Sequence, residues 1–240
     1  MTMWRVTIAG AGKIGRTIAA FLNHMPSYEV SVVDLSKQAL EPLRHSGIHT
    51  TVVDLNDAVE LTASLDDCDA LINAAPFFLT PPIARAAKAA GAHYFDLTED
   101  TAVTADVRQL AETATSAFMP QCGLAPGLVA IAGHDLAKRF DKLQDLTLRV
   151  GALPRYPTNA LKYNLTWSTD GLINEYCNPC QALVDGELAE IAPLDGLESF
   201  AVDGIAYEAF NTSGGLGTLA EALKGKARNV AYRTIRYPGH

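Results

Sequence analysis

The chain has 240 residues, long enough for one large or two modest domains, and its 48% hydrophobic and 19% charged residues are those of an ordinary globular protein. Its 27 acidic against 19 basic residues argue against a general nucleic-acid or anionic-membrane surface. Asp, Lys or His interrupts every apolar run before it could span a bilayer, and the N-terminus enters a strand at once with no room for a secretory signal, so a cytoplasmic protein is expected.

The first element is an apolar strand, Trp4 to Ala9, followed by Gly10-x-Gly12-x-x-Gly15 and a helix expected from Ile14 to Asn23. Strand, glycines and helix in this order are the context that a dinucleotide fingerprint requires. Gly10 permits the tight turn, Gly12 lets a pyrophosphate approach the backbone, and Gly15 lets helix and strand pack closely. Lys13 and Ile14 open the helix, whose N-terminal N–H groups and dipole face the phosphates. A second strand, Tyr28 to Val33, ends in Asp34, about twenty residues on, where a carboxylate accepts the ribose hydroxyls of an adenosine. A 2′-phosphate would be repelled there, and Leu35, Ser36 and Gln38 offer no arginine to receive one; with Lys37 the only nearby cation, NAD is favoured over NADP.

Strands and short helices then keep alternating: a helix near Gln38 to Arg44, a strand His49 to Val53, a helix Asn56 to Ser64 and a strand Ala70 to Asn73. This alternation predicts a Rossmann-type, doubly wound parallel sheet. Asp54 ends the third strand, either near the adenine edge or as a cap for the following helix. Asn73, Ala74 and Ala75 reach the carboxyl edge of the sheet and are expected to pass under the nicotinamide ribose. An alanine-rich helix, Pro82 to Ala90, stops at Gly91. The strand His93 to Leu97 carries Asp96 to the same edge, either as an amine-binding group or as a cap for a helix from Thr101 to Thr115. Ser116 to Met119 reads as a sixth strand, closing a nucleotide-binding domain of residues 1–122.

From Gln121 to Leu128 a glycine- and proline-bearing crossing opens a helix, Val129 to Arg139. Beyond it lie a strand Leu146 to Val150, an Asp-Gly hairpin around Asp185-Gly186, a second Asp-Gly within Phe200 to Phe210, and an alternating run Asn229 to Tyr237. Residues 123–240 are therefore expected to form an α+β substrate and dimerisation domain with a mainly antiparallel sheet. The four cysteines, at 68, 122, 177 and 180, are too few and too irregular for a disulfide framework. Cys177-Asn178-Pro179-Cys180 is a CxxC without the second pair or the histidines that zinc needs, at a helix end rather than a helix start, so two structural thiols and no metal are expected.

Several stretches resemble the saccharopine dehydrogenase-like family, and within it most closely the bacterial lysine 6-dehydrogenases. They are Gly10-Ala11-Gly12-x-x-Gly15, Gly123-Leu124-Ala125-Pro126-Gly127, Tyr163-Asn164 with Trp167-Ser168-x-x-Gly171-Leu172, Glu208 to Gly215, and Thr234-Ile235-Arg236-Tyr237-x-Gly239-His240. Relatives that make saccharopine carry an acid where this chain has Ala125, as the lysine dehydrogenases do. Family members normally continue past the last stretch, so the second domain is expected to be truncated. The resemblance implies hydride transfer at a C–N bond of a lysine-like amino acid, with the cofactor supplying the chemistry and the protein the orientation and proton handling. It also implies a homodimer or higher oligomer.

On this reading Asp96 holds the substrate ammonium or relays its proton. Tyr163, Trp167, Ser168 and Thr212 line the substrate pocket, and Arg236 pairs with a substrate carboxylate; the alternatives are a core place for Trp167, a cap by Ser168 on a helix beginning near Thr169, and a solvated strand face for Arg236. No tyrosine has a lysine four residues later, which excludes a short-chain dehydrogenase. The alternative from another class is an NAD-binding regulatory or assembly protein without catalysis.

Overall fold

A computed structural model describes residues 3–240, which divide into two compact units, one ending at Cys122 and one from Gly123 to His240. In the first unit β1 (Trp4–Ala9), β2 (Tyr28–Asp34), β3 (His49–Val52), β4 (Ala70–Asn73), β5 (His93–Asp96) and β6 (Phe118–Met119) form one parallel sheet in the order β3-β2-β1-β4-β5-β6. The order reverses between β1 and β4, and ligands of open α/β sheets bind at the carboxyl ends of the strands beside such a switch point.

The connecting helices are α1 (Lys13–Asn23), α2 (Lys37–His45), α3 (Ala58–Ala63), α4 (Thr80–Ala90) and α5 (Thr101–Ala111), with a single 3-10 turn at Phe77–Leu79. Local chemistry sets their ends. Ser36, Asp57 and Asp100 accept backbone N–H bonds at the starts of α2, α3 and α5, and Gly91 ends α4 in the left-handed region. The cap of α3 is thus Asp57 and not Asp54, and the cap of α5 is Asp100 and not Asp96. Two apolar clusters pack the sheet. One holds Ile8, Val32 and Leu40, the other Leu61, Leu71, Ile83 and Tyr94. Fully burying one such aliphatic side chain contributes about 1.5–3 kcal/mol.

The second unit opens with α6 (Leu128–Ala137) and β7 (Leu143–Val150), followed by α7 (Thr169–Cys177), β8 (Cys180–Val184), β9 (Glu187–Ile191), β10 (Glu198–Val202), β11 (Ile205–Asn211), α8 (Leu219–Leu223) and β12 (Ala227–Arg236). Its sheet runs β10-β11-β12-β8-β9, antiparallel throughout, with β7 added parallel to β12. Both Asp-Gly pairs make the hairpins read from the sequence: Asp185 and Gly186, and Asp203 and Gly204, all have positive φ. From Asn229 onward strand β12 alternates, burying Val230, Tyr232, Thr234 and Arg236 on one face. That face packs with Leu146, Leu148, Leu183, Leu219 and Leu223 in the unit's core. Among the described residues, no helix is long and apolar enough to cross a membrane.

Candidate functional site

The first unit's site begins at the loop between β1 and α1. Gly10 has φ 105°, and a Cβ there would meet the backbone of Ala74 and Ala75 at 3.0 Å. At Gly15 a Cβ would lie 1.9 Å from the Gly10 carbonyl oxygen, so this close approach admits only glycine. Gly12 differs. A Cβ there would meet nothing within 4 Å, so its surroundings are open space at the N-terminus of α1. No side chain caps that terminus, and the first turn carries no acid. An open, uncapped helix start with a bare backbone is a cradle for a pyrophosphate.

Asp34 stands at the end of β2, half-buried, where its Oδ2 accepts the Ala11 N–H at 2.6 Å and its Oδ1 accepts the Ser36 N–H at 2.7 Å. The carboxylate is thereby tied to the glycine loop, and its remaining lone pairs are available to a diol. Asp54 Oδ1 accepts the Asn56 N–H at 2.9 Å in a local turn at the end of β3. Asn73 is 2% exposed; its Nδ2 donates to Thr80 Oγ1 and Tyr94 Oη, and its Oδ1 accepts the Ala75 N–H. Its side chain braces the loop, and what it offers a ligand is the placement of Ala74 and Ala75. Lys13 and Ile14 form the first turn of α1.

Asp96 has a different setting from the ammonium-holding one read from the sequence. It is 1% exposed, and its Oδ1 accepts the N–H groups of Thr98 and Gln121, both at 3.0 Å. The Cys122 N–H also donates to its main-chain carbonyl at 2.7 Å. These bonds tie the end of β5 to the segment leaving the sheet. Oδ2 has no hydrogen-bond partner, and burial pushes the carboxyl above the usual range against the pull of the Gln121 and Thr98 bonds. A carboxyl enclosed in this way positions its neighbours rather than meeting a substrate.

In the second unit one cluster gathers Tyr163, Trp167 and Arg236. Arg236 is 4% exposed, and its Cζ lies over the Tyr163 ring at 4.3 Å from the centroid and over the Tyr176 ring at 5.8 Å. Its Nε donates to Tyr176 Oη at 2.9 Å and its Nη1 to the Ile235 carbonyl at 2.9 Å. Trp167 Nε1 donates to Tyr163 Oη at 2.9 Å. Asn159 brackets the Tyr163 backbone, donating to its carbonyl and accepting its N–H, which holds the ring in place from an irregular loop.

Ser168 and Thr212 fall to other tasks. Ser168 is the N-cap of α7 and accepts the Gly171 N–H at 3.1 Å, which is the capping alternative read from the sequence. Thr212 is 2% exposed and hydrogen-bonds Thr234 Oγ1 at 2.7 Å. The run after β11 has its own logic. The Ser213 N–H donates to the Glu175 carbonyl at 2.9 Å, and Gly215 lies so close to the Tyr232 ring that a Cβ would come within 2.2 Å of it. This packing fastens α7 to the sheet and sets Tyr176 beside Arg236.

The sequence reading missed Tyr176 and did not assign His240 a task. Helical spacing makes Tyr176 one more residue on α7, and only its neighbours in space mark it. The CxxC thiols are free: Cys177 is exposed, while Cys180 is buried and pushed up to about 11 by that burial and by Glu175. Among the described residues no group of His, Cys, Asp or Glu is arranged to hold a metal.

Known proteins agree with these two units. Residues 6–119 match the model of the saccharopine dehydrogenase NADP binding domain, and residues 123–240 match that of the saccharopine dehydrogenase C-terminal domain. The saccharopine dehydrogenase [NADP(+), L-glutamate-forming] of Schizosaccharomyces pombe is 22% identical over 98% of this chain, which covers 55% of that protein. The mitochondrial alpha-aminoadipic semialdehyde synthase of Rattus norvegicus is 23% identical over 79% of the chain and 21% of its own length. This chain therefore spans about half of the first of these relatives and about a fifth of the second. The solved apo saccharopine dehydrogenase (L-Glu forming) of Saccharomyces cerevisiae shares the fold, with a TM-score of 0.78 at 23% identity over 98% of this chain and 56% of that one. A pyridine-nucleotide cradle followed by an antiparallel second unit, each matched in its own right, places this chain in the saccharopine dehydrogenase family.

Proposed function

We propose that this chain is a pyridine-nucleotide-dependent oxidoreductase acting at a C–N bond of a lysine-like amino acid, with NAD as the preferred dinucleotide. The observation that carries the cofactor half is the open backbone at Gly12, at an uncapped helix start, with Asp34 anchored beside it. The matching family domain carries NADP in its name. The preference for NAD rests on Asp34 itself, a carboxylate where a 2′-phosphate would need a cation. Gly10, Gly12 and Gly15 shape the cradle, Lys13 and Ile14 present the first helical N–H groups, and Asp54, Ala74 and Ala75 border the strand ends where the dinucleotide would lie, with Asn73 bracing the last two.

When bound, the nicotinamide accepts a hydride from the carbon that bears the nitrogen. The chain's residues bind the amino acid and manage its protons. Arg236 supplies a buried cation for a substrate carboxylate. Two of its five N–H donors are already committed to Tyr176 and Ile235, so at most three remain. Tyr163 and Tyr176 hold the guanidinium between aromatic rings, and Trp167 steadies Tyr163 through its hydroxyl. Asp96 keeps the end of β5 and the segment after β6 together. The lysine 6-dehydrogenase activity is preferred to saccharopine formation on the resemblance alone, which implies an acid in saccharopine-making relatives at the position of Ala125.

The test is formation of reduced nicotinamide, followed by absorbance, when NAD or NADP is mixed with lysine, related ω-amino acids or saccharopine. Turnover on lysine with NAD is the expected result. Saturable dinucleotide binding with no turnover on any of these amines would point instead to a non-catalytic nucleotide-responsive protein.

A further inference from the structure

The amine must lose a proton before its carbon can release hydride, and buried Asp96 is poorly placed to take it. We infer that Tyr176 and His240 form the proton-accepting pair of the Arg236 cluster, with Tyr176 Oη meeting the amine and His240 Nε2 receiving the proton. The proposal rests on the proposed C–N chemistry, and it seats the reacting amine at this cluster in place of a substrate carboxylate on Arg236.

Every hydrogen bond in the chain of groups has one possible direction. His240 Nδ1 lies 2.7 Å from the Leu161 carbonyl, which can only accept, so Nδ1 carries the proton. In the neutral ring Nε2 is then bare. It lies 3.1 Å from Tyr176 Oη, so the phenol donates to it. Arg236 Nε can only donate, and it does so to the same phenol oxygen at 2.9 Å. Tyr176 Oη therefore gives its own proton to His240, takes one bond from Arg236, and keeps one lone pair for an incoming N–H. Both Tyr176 and His240 are partly exposed, so a ligand and solvent can reach them.

The proton step balances. The N–H bond of the substrate ammonium breaks as a new O–H bond forms at Tyr176, while the phenol's original O–H bond breaks and an N–H bond forms at His240 Nε2. The positive charge passes from substrate to imidazolium, and no electrons leave the substrate. Arg236 assists because its fixed charge stabilises negative charge on the phenol oxygen and disfavours an ammonium beside it.

The surroundings keep the ring neutral beforehand. Burial lowers the imidazole below its ordinary value, and the Arg236 charge adds to this against the raising effect of the Leu161 bond. Tyr163, Tyr176 and Phe210 pack against the ring at centroid distances of 5.8, 6.0 and 6.4 Å. The charged groups around the pair are Arg236 on β12, Glu175 on α7, Glu208 on β11, which accepts the Gly239 N–H at 3.1 Å, and Lys162, whose Nζ donates to the Pro238 carbonyl at 2.6 Å. The last two contacts anchor the segment that carries His240.

The experiment has a part that needs no activity. Nitrogen-15 NMR of histidine in the full chain, assigned with His240→Gln, reads tautomer and titration. His240 is expected as the Nδ1–H tautomer, titrating below about 6.5, the ordinary histidine value, and Tyr176→Phe should shift that titration. In turnover assays the acid limb of kcat/KM should follow the same titration. His240→Gln, whose amide can accept the phenol's bond but not its proton, should lose that limb and about 10²–10⁴-fold in kcat, with its Tm kept as a folding control. An Nε2–H tautomer, or a titration indifferent to Tyr176→Phe, overturns the pairing whatever the turnover. Turnover in His240→Gln with an unchanged acid limb overturns the proton transfer. A correct tautomer with no turnover on any amine in the unmodified chain overturns the functional reading, and the catalytic role with it.

Discussion

Replacing Asp34 with Asn isolates the cofactor preference. The carboxylate accepts backbone N–H bonds from Ala11 and Ser36 and has lone pairs left for the adenosine ribose. A hydrogen bond to a charged group contributes about 1.5–3 kcal/mol, so losing the charge should weaken NAD about 10- to 100-fold. For NADP the variant removes a repulsion. Two unit charges about 5 Å apart at an effective dielectric of about 20 repel by about 3 kcal/mol, and solvent around half-buried Asp34 roughly halves this. Together the terms amount to roughly 3–4.5 kcal/mol, and the ratio of NAD to NADP affinity should fall by about 10²–10³-fold. Asn offers one acceptor oxygen in place of two, so one backbone N–H is left short and Tm should also fall modestly. Calorimetric titration of both dinucleotides, well below Tm, measures the ratio. Tighter binding of NADP by the unmodified chain, or an unchanged ratio in the variant, refutes the reasoning.

The two inner glycines should separate folding from binding. Gly15→Ala drives a Cβ into the Gly10 carbonyl and should cost at least about 1–3 kcal/mol of stability in thermal melts. Gly12→Ala meets open space, should melt within about 0.5 kcal/mol of the parent, and should lose dinucleotide affinity by about tenfold or more; normal affinity in this variant would mean the cradle lies elsewhere. Because burial raises the Asp96 carboxyl, its contribution to stability is complete below about pH 3.9, the unfolded carboxylate value, and is lost as pH rises through the folded one. Asp96→Asn keeps an oxygen for Thr98 and Gln121, so its Tm should exceed the parent's by a few degrees at neutral pH, with the difference shrinking toward pH 4. Its kcat should stay within about tenfold of the parent's, whereas a loss of about 10²-fold or more would restore Asp96 as the proton acceptor. Ser168→Ala removes the cap of α7 and should lower stability by about 1 kcal/mol with KM unchanged. A raised KM at constant Tm would return Ser168 to the substrate.

What could be read from the chain alone is what short-range chemistry dictates. The strand, glycine turn and helix from Trp4 to Asn23 stand within about two dozen residues, and each glycine's task follows from its place in the turn. Asp34 stands at the end of β2, where the spacing from the glycines puts it, although its bond to Ala11 was not read from the spacing. The Asp-Gly hairpins and the left-handed Gly91 are likewise local, because a positive φ selects its residue without help from elsewhere. The parallel and antiparallel halves followed from alternation and turn chemistry.

Contacts between distant segments decided the rest. Asp96 was legible as a carboxylate at a strand end, but one of the N–H groups it accepts belongs to Gln121, twenty-five positions away. Arg236 was visible as a cation near the end of an alternating strand; Tyr176, sixty positions away, and the loop carrying Tyr163 make it a caged one. The bond from His240 to the Leu161 carbonyl spans seventy-nine positions and determines which ring nitrogen bears the proton. No periodicity or spacing encodes such pairings, because they arise only when the sheet and α7 pack their side chains into one small volume.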